Sequence, residues 1–169
     1  MCGSHRVATH EKVYVTDINI RPLAQNLDLI PMVETWFEAE WPAYYGHGGR
    51  GSAKSDLLAY ANGDGLPFGL VAFRYGVACG FGALKREAFP SHPHLSPWAG
   101  AAYVVPSQRR CGVGAALLLA LEAQARALGY FHIYCATGTS ASLLERNGWS
   151  LLSHVLHDGQ QVGVYEKAL

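Results

Sequence analysis

Two rhythms of apolar residues run along this chain, and the points where one gives way to the other mark its elements. Residues 1–12 are polar and aperiodic and read as a tail, so the folded domain is expected to span 13–169. In the first strand, roughly Val13–Arg21, Ile18 and Ile20 alternate with polar neighbours. The spacing then changes to three and four at Leu29, Val33, Trp36, Phe37 and Trp41, which predicts a helix with Asp28 as N-cap and Pro42 as its stop. Glu34 and Glu38 occupy its opposite face. After the turn-rich Gly46–Gly51, a shorter helical pattern covers Ser55–Ala61 with Leu57, Leu58 and Ala61 on its apolar side, and Asn62-Gly-Asp-Gly65 ends it.

From Leu66 the period falls to two. Pro67–Phe73 and Val77–Leu84 flank Arg74-Tyr-Gly76 and predict an antiparallel hairpin. Residues 87–97 carry Pro90, Pro93 and Pro97 and form a loop. Ala99–Val105 reads as a central strand, Pro106–Cys111 as a loop and Gly112–Leu128 as a long helix with Leu118, Leu121, Ala125 and Leu128 on one stripe, closed by Gly129. A buried strand over Tyr130–Ala136, a short helix over Ser140–Arg146 and a closing hairpin of Trp149–Leu156 and Gln161–Glu166 around Asp158-Gly159 complete the chain. The strand–helix–strand crossover at 99–136 requires a parallel pair, so an α/β sandwich with a mixed sheet is the expected architecture.

Composition narrows the function classes. At 169 residues, 50% hydrophobic and 15% charged, the chain can bury one core. Lys+Arg and Asp+Glu both number 13, so no basic field exists to hold a nucleic acid. Cys2, Cys79, Cys111 and Cys135 are scattered without zinc-ligand spacing and read as free thiols, and no metal site is expected. Neither a signal peptide nor an apolar run of about 18 residues is visible, which leads to the expectation of a soluble, cytoplasmic protein with no membrane partner.

The chemistry is concentrated in Tyr103-Val-Val-Pro-Ser-Gln-Arg-Arg-Cys-Gly-Val-Gly-Ala115, which passes from a strand through a glycine-bearing loop into the first turn of an Ala/Leu helix. Helix-opening N–H groups lack intrahelical partners and attract phosphate oxygens, and two glycines let a ligand approach the backbone. Arg109 and Arg110 stand at the mouth of this cradle, placed for charge-assisted bonds to a diphosphate or a 3′-phosphate. Cys111 shares the electropositive loop, although its small side chain is read as a spacer rather than a nucleophile. The Gly46-x-Gly48-x-x-Gly51 run matches a dinucleotide fingerprint only literally, because it follows a helix instead of a strand.

Arg109-Arg-Cys-Gly-Val-Gly114, preceded by a Tyr-Val-x-Pro strand end and followed by Glu145-Arg-Asn-Gly-Trp149, resembles the GNAT superfamily of N-acetyltransferases from Ile18 to Leu169. Ser96-Pro-Trp98 and Trp41-Pro-Ala-Tyr-Tyr45 are similar to its bacterial tabtoxin-resistance-type branch. The resemblance implies a three-layer sandwich: a mixed, mostly antiparallel twisted sheet of about six to seven strands with helices on both faces. It implies acetyl-CoA as co-substrate, with Tyr103, Val104 and Val105 along the pantetheine arm and the amides of Arg110, Cys111, Gly112, Val113, Gly114 and Ala115 on the diphosphate. The thioester is then expected where the strands near Val104 and Cys135 splay apart, with a backbone N–H polarising its carbonyl. A homodimer is a further possibility that it raises.

Direct attack needs a neutral amine, and a lysine-like amine with a pKa of about 10.4 is protonated at neutral pH. Glu87 is the first candidate base, followed by His92 and His94, with Glu40 a distant fourth. Tyr44, Tyr45 and Trp98 are the candidate pocket walls. Many GNAT enzymes place an acid-providing Tyr five residues ahead of the aromatic in the Gly-aromatic pair, where this chain has Leu144; Ser140, Ser142 and Tyr134 are substitutes to weigh. Three readings therefore stay open: an N-acetyltransferase of small-molecule amines, a protein N-terminal or lysine acetyltransferase, and a catalytically silent acyl-CoA-binding module.

Overall fold

The computed structural model describes residues 17–86 and 89–169. Within them β1 (Ile18–Pro22), β2 (Phe68–Arg74), β3 (Val77–Lys85), β4 (Trp98–Val104), β5 (His132–Thr137), β6 (Ser150–His157) and β7 (Gln160–Ala168) form one sheet in the order β1-β2-β3-β4-β5-β7-β6. Every neighbouring pair is antiparallel except β4 and β5. The helices are α1 (Ile30–Glu40), α2 (Pro42–Tyr45), α3 (Ala53–Tyr60), α4 (Val113–Ala127) and α5 (Ala141–Arg146). This is the mixed, mostly antiparallel α/β sandwich expected from the sequence.

Alternation along β2 shows why three layers form. Leu70 and Ala72 point into a core with Leu117, Leu118, Leu121 and Ala125 of α4, whereas Val71 and Phe73 point into a core with Val33, Phe37 and Leu57 of α1 and α3. A strand buried on both faces has no polar face to show, so it reads as a continuous apolar run. The hairpin turns are two-residue turns at Tyr75-Gly76 and Asp158-Gly159, all four residues at positive φ, a geometry whose twist matches the flanking strands.

Several local expectations need correction. Asp28 lies in a 3₁₀ turn, Leu27–Leu29, and does not cap α1; the helix starts at Ile30 because Pro31, with φ already helical and no N–H to satisfy, sits in its first turn. Pro42 ends α1 but also opens α2, so Tyr44 and Tyr45 are helical rather than looped. The shorter helix begins two residues early, at Ala53, because Ser52 caps it by accepting from the Ser55 N–H at 3.2 Å. Its buried face is Ala53, Leu57 and Tyr60, while Leu58 is exposed. For the first strand, residues 13–16 lie outside the described residues, as does the N-terminal tail.

Candidate functional site

β4 and β5 pair at only two positions, Trp98 with Tyr134 and Ala99 with Cys135, after which β4 continues to Val104 without β5 beside it. On its other edge β4 carries a bulge: Phe81 pairs with Tyr103 and Ala83 with Gly100, so Ala101 and Ala102 oppose Gly82 alone, and Ala101 is held at φ +49°. A bulge bends its strand, which helps carry β4 away from β5. The Val105 N–H donates to the Cys79 carbonyl at 2.9 Å on the β3 side. By the alternation of strand polar groups, the N–H and carbonyl of Val104 then face the open fork.

Beyond the fork the chain turns through Pro106–Gln108, then holds Arg110 at φ +59° and Gly112 at φ +88° before entering α4. Gly112 is the N-cap and offers no side-chain acceptor. Because the Ala116 N–H is the first to find an intrahelical carbonyl, that of Gly112 at 3.0 Å, the N–H groups of Val113, Gly114 and Ala115 have none. The two glycines serve different ends. Gly112 supplies the left-handed conformation, whereas Gly114 makes room for α5, since a Cβ there would lie 3.3 Å from Leu143 Cδ2.

The arginines divide. Arg109 folds back: its Nε donates to the Val104 carbonyl at 2.9 Å, its Nη2 lies 3.8 Å from Glu40 Oε2, and its guanidinium covers the Tyr103 ring at 5.8 Å. Tyr103 in turn stacks on Trp36 at 5.5 Å. Val104 therefore offers its N–H to the fork while its carbonyl is occupied, and Val105 spends its N–H on the sheet. Arg110 and Cys111 remain exposed at the helix mouth.

The candidate acceptor residues scatter. Glu87 lies outside the described residues. His92 is half-buried and clamped at both nitrogens, Nδ1 with Ser91 Oγ at 2.9 Å and Nε2 with Ser153 Oγ at 3.2 Å, with its ring edge-on to Trp98. His94 is exposed, and Glu40 is engaged by Arg109. Trp98 is only 1% exposed, donates Nε1 to the Leu95 carbonyl at 2.7 Å and is closed in by Phe89, Tyr134 and His92, so it packs beneath the surface instead of forming a pocket wall. Tyr44 is exposed with Arg50 over its ring, while Tyr45 donates its hydroxyl to Asp56 Oδ2 at 2.7 Å. Burial and this hydrogen bond hold the Tyr45 phenol well above the usual range. Leu144 is 2% exposed and belongs to the α4-side core, so no side-chain proton donor exists at that position. Tyr134 is buried beside Trp98, and burial, with Glu166, pushes its phenol up; Ser140 and Ser142 are exposed.

Lys85 was not singled out from sequence. It ends β3 opposite Trp98, and a Cβ at Gly100 would lie 3.1 Å from its Cε and 3.5 Å from its Nζ. Gly100 is the first β4 residue past the last β4–β5 pair, so this ammonium sits at the apex of the fork. Burial drives its pKa below the usual lysine range, opposed by the Asp56 carboxylate and by Cys135. Across the fork Cys135 is pushed up to about 12 by burial. The usable signal was a charged residue at the end of the otherwise apolar run Val77–Leu84, in phase with the core-facing Phe81 and Ala83.

A splayed strand pair opening onto an uncapped helix N-terminus is an arrangement for receiving an anionic ligand. The sequence pattern of the Acetyltransferase (GNAT) family matches residues 30–149, and the chain belongs to that family. No curated protein matches the chain in sequence. Among solved structures, an aminoglycoside 6'-N-acetyltransferase complexed with coenzyme A is similar at 13% identity, covering 89% of this chain and 96% of that one, with a TM-score of 0.71. The Salmonella typhimurium protein yncA with its cofactor acetyl-CoA is similar at 18% identity, 90% and 94% coverage and a TM-score of 0.67. A GCN5-related N-acetyltransferase from Kribbella flavida is similar at 17% identity, 90% and 98% coverage and a TM-score of 0.71. At these identities the likeness establishes the fold. No helix among the described residues is long and apolar enough to cross a membrane, and no group of His, Cys, Asp and Glu among them is placed to hold a metal ion.

Proposed function

We propose that this chain is an acetyl-CoA-dependent N-acetyltransferase that acts on an amine of a small molecule, by direct attack in a ternary complex. The observation that carries the reading is the set of N–H groups of Val113, Gly114 and Ala115, without a partner among the described residues, directly beyond the open β4–β5 fork. Those amides, with that of Gly112 and the exposed Arg110 and Cys111 stretch, bind the diphosphate. Acetyl-CoA supplies the activated acyl group as a thioester. The Val104 N–H is a β4 donor that faces the fork, and it stabilises negative charge developing on an acyl oxygen there. Arg109 must release the Val104 carbonyl for a pantetheine amide to pair with it, and Glu40, with Tyr103, holds the guanidinium meanwhile.

For the acceptor proton, His92 is a weak base candidate, because both ring nitrogens are already hydrogen-bonded. Glu87 remains the first candidate. With Leu144 in the core, the departing thiolate takes its proton from water or leaves as the anion, which a thiol with an ordinary pKa of about 8.5 tolerates. The proposal extends to one acetyltransferase domain over 13–169, kinship with the tabtoxin-resistance-type branch, a cytoplasmic site of action and, as a further possibility, a homodimer.

Calorimetry with acetyl-CoA and coenzyme A, followed by thiol-release assays over a panel of small amines, tests the reading. Micromolar binding with acceptor-dependent thiol release is expected. Binding without turnover of any amine supports the silent acyl-CoA-binding alternative, which Leu144 motivates, and saturable turnover of peptides alone supports a protein acetyltransferase.

A further inference from the structure

We propose that Lys85 is an acceptor-binding residue that takes a carboxylate, so that the acceptors of this chain are small amines that also carry a carboxylate group. The inference rests on the acetyltransferase reading above and names its substrate class. Lys85 Nζ stands at the fork apex, against the backbone of Gly100, on the sheet face covered by α1 and α3 and opposite the face covered by α4. Gly100 is what lets it lie there, because a Cβ would meet Lys85 Cε at 3.1 Å.

Other partly buried cations among the described residues are each answered. Lys167 Nζ is 2.8 Å from Glu122 Oε2 and Arg74 Nη1 donates to Gln108 Oε1 at 2.8 Å, while the exposed Arg109 reaches Glu40. Lys85 makes no ion pair within 4.0 Å among those residues. The acid it feels, Asp56, already accepts the Tyr45 hydroxyl. A desolvated ammonium without a close counter-charge is costly, and an anionic group on the incoming acceptor removes that cost. One ammonium balances one negative charge, which fits a carboxylate and leaves a phosphate dianion half uncompensated. A polyamine acceptor would meet a like charge at the reacting end.

Matched acceptors test this: α-, β- and ω-amino acids, each against its own amide, with thiol release read for the wild type, Lys85→Met and Lys85→Arg. The wild type is expected to favour the acid over its amide by at least about tenfold in kcat/KM, equivalent to about 1.4 kcal/mol. In K85M that ratio falls to near one through a raised KM for the acids, and K85R restores most of it. Equal use of acids and amides by the wild type, an unchanged ratio in K85M, or turnover of only non-carboxylated amines overturns the proposal. Calorimetry with coenzyme A on all three proteins separates the two levels. Absent binding in the wild type removes the acetyltransferase reading itself, whereas normal binding with no acid preference removes only the role of Lys85.

Discussion

In its C-terminal half α4 buries Glu122, whose Oε1 accepts the Trp149 indole N–H at 2.9 Å and whose Oε2 accepts Lys167 Nζ at 2.8 Å; the same ammonium also donates to the Asn147 carbonyl at 2.8 Å. At the N-terminus of the same helix, Val113, Gly114 and Ala115 present N–H groups to an open fork with neither a side-chain cap nor an intrahelical acceptor. One end spends its polar groups on ordering the α5–β6 turn against the helix; the other leaves them for a ligand. The contrast separates residues that hold the fold from residues that serve the site, although both lie on one helix of 15 residues.

The sharpest way to break that contrast is at Glu122. Glu122→Ala strands a partly buried ammonium and an indole N–H, and is expected to cost about 3–5 kcal/mol in chemical unfolding. Coenzyme affinity of the folded fraction stays the same. If E122A leaves the unfolding midpoint unmoved, the network has no structural weight.

The fork can be probed by pH. The Cys135 thiol is pushed up to about 12 from 9.0, so below pH 9 both folded and unfolded chains hold the proton and its contribution is complete. Between about pH 9 and 12 only the unfolded chain gives up that proton, and stability falls by up to about 1.4 kcal/mol per pH unit. Buried Cys79 acts in the same direction. Cys135→Ala is expected to flatten the slope measured between pH 9 and 10, and an unchanged slope would place the loss elsewhere.

At the helix mouth, Gly112→Ala puts a side chain at φ +88° and is expected to cost about 1–2 kcal/mol of stability, and to weaken coenzyme binding at least tenfold as the loop shifts. Calorimetry alongside unfolding separates the two effects. The smallest effect is expected from Glu40→Gln, which loosens a half-exposed ion pair and changes stability by less than about 1 kcal/mol.

What the sequence made legible follows the same division. Gly112, the helix start and the strand before it are local features, since a left-handed position and uncapped amides depend on neighbours in the chain. The parallel pair is not local, yet it is readable because the strand–helix–strand order over 99–136 requires one. The occupied carbonyl of Val104 was not, because it depends on Arg109 meeting Glu40 from α1, a contact set only by tertiary packing. Trp98 reads as a pocket wall in the sequence, whereas in the fold Phe89 and Tyr134 enclose it. Lys85 is not legible in the sequence, because a lone lysine at a strand end usually reaches solvent, and only the fork and Gly100 give it another setting.

The most direct measurement is a titration of the ¹⁵N-labelled chain with coenzyme A, followed through its backbone amide signals. The largest shifts are expected at Gly112, Val113, Gly114 and Ala115, with a second group at Val104 and near Lys85. Saturable binding that leaves the four amides at the start of α4 unmoved, or no shift anywhere at millimolar ligand, would contradict the assignment of this helix end as the diphosphate site.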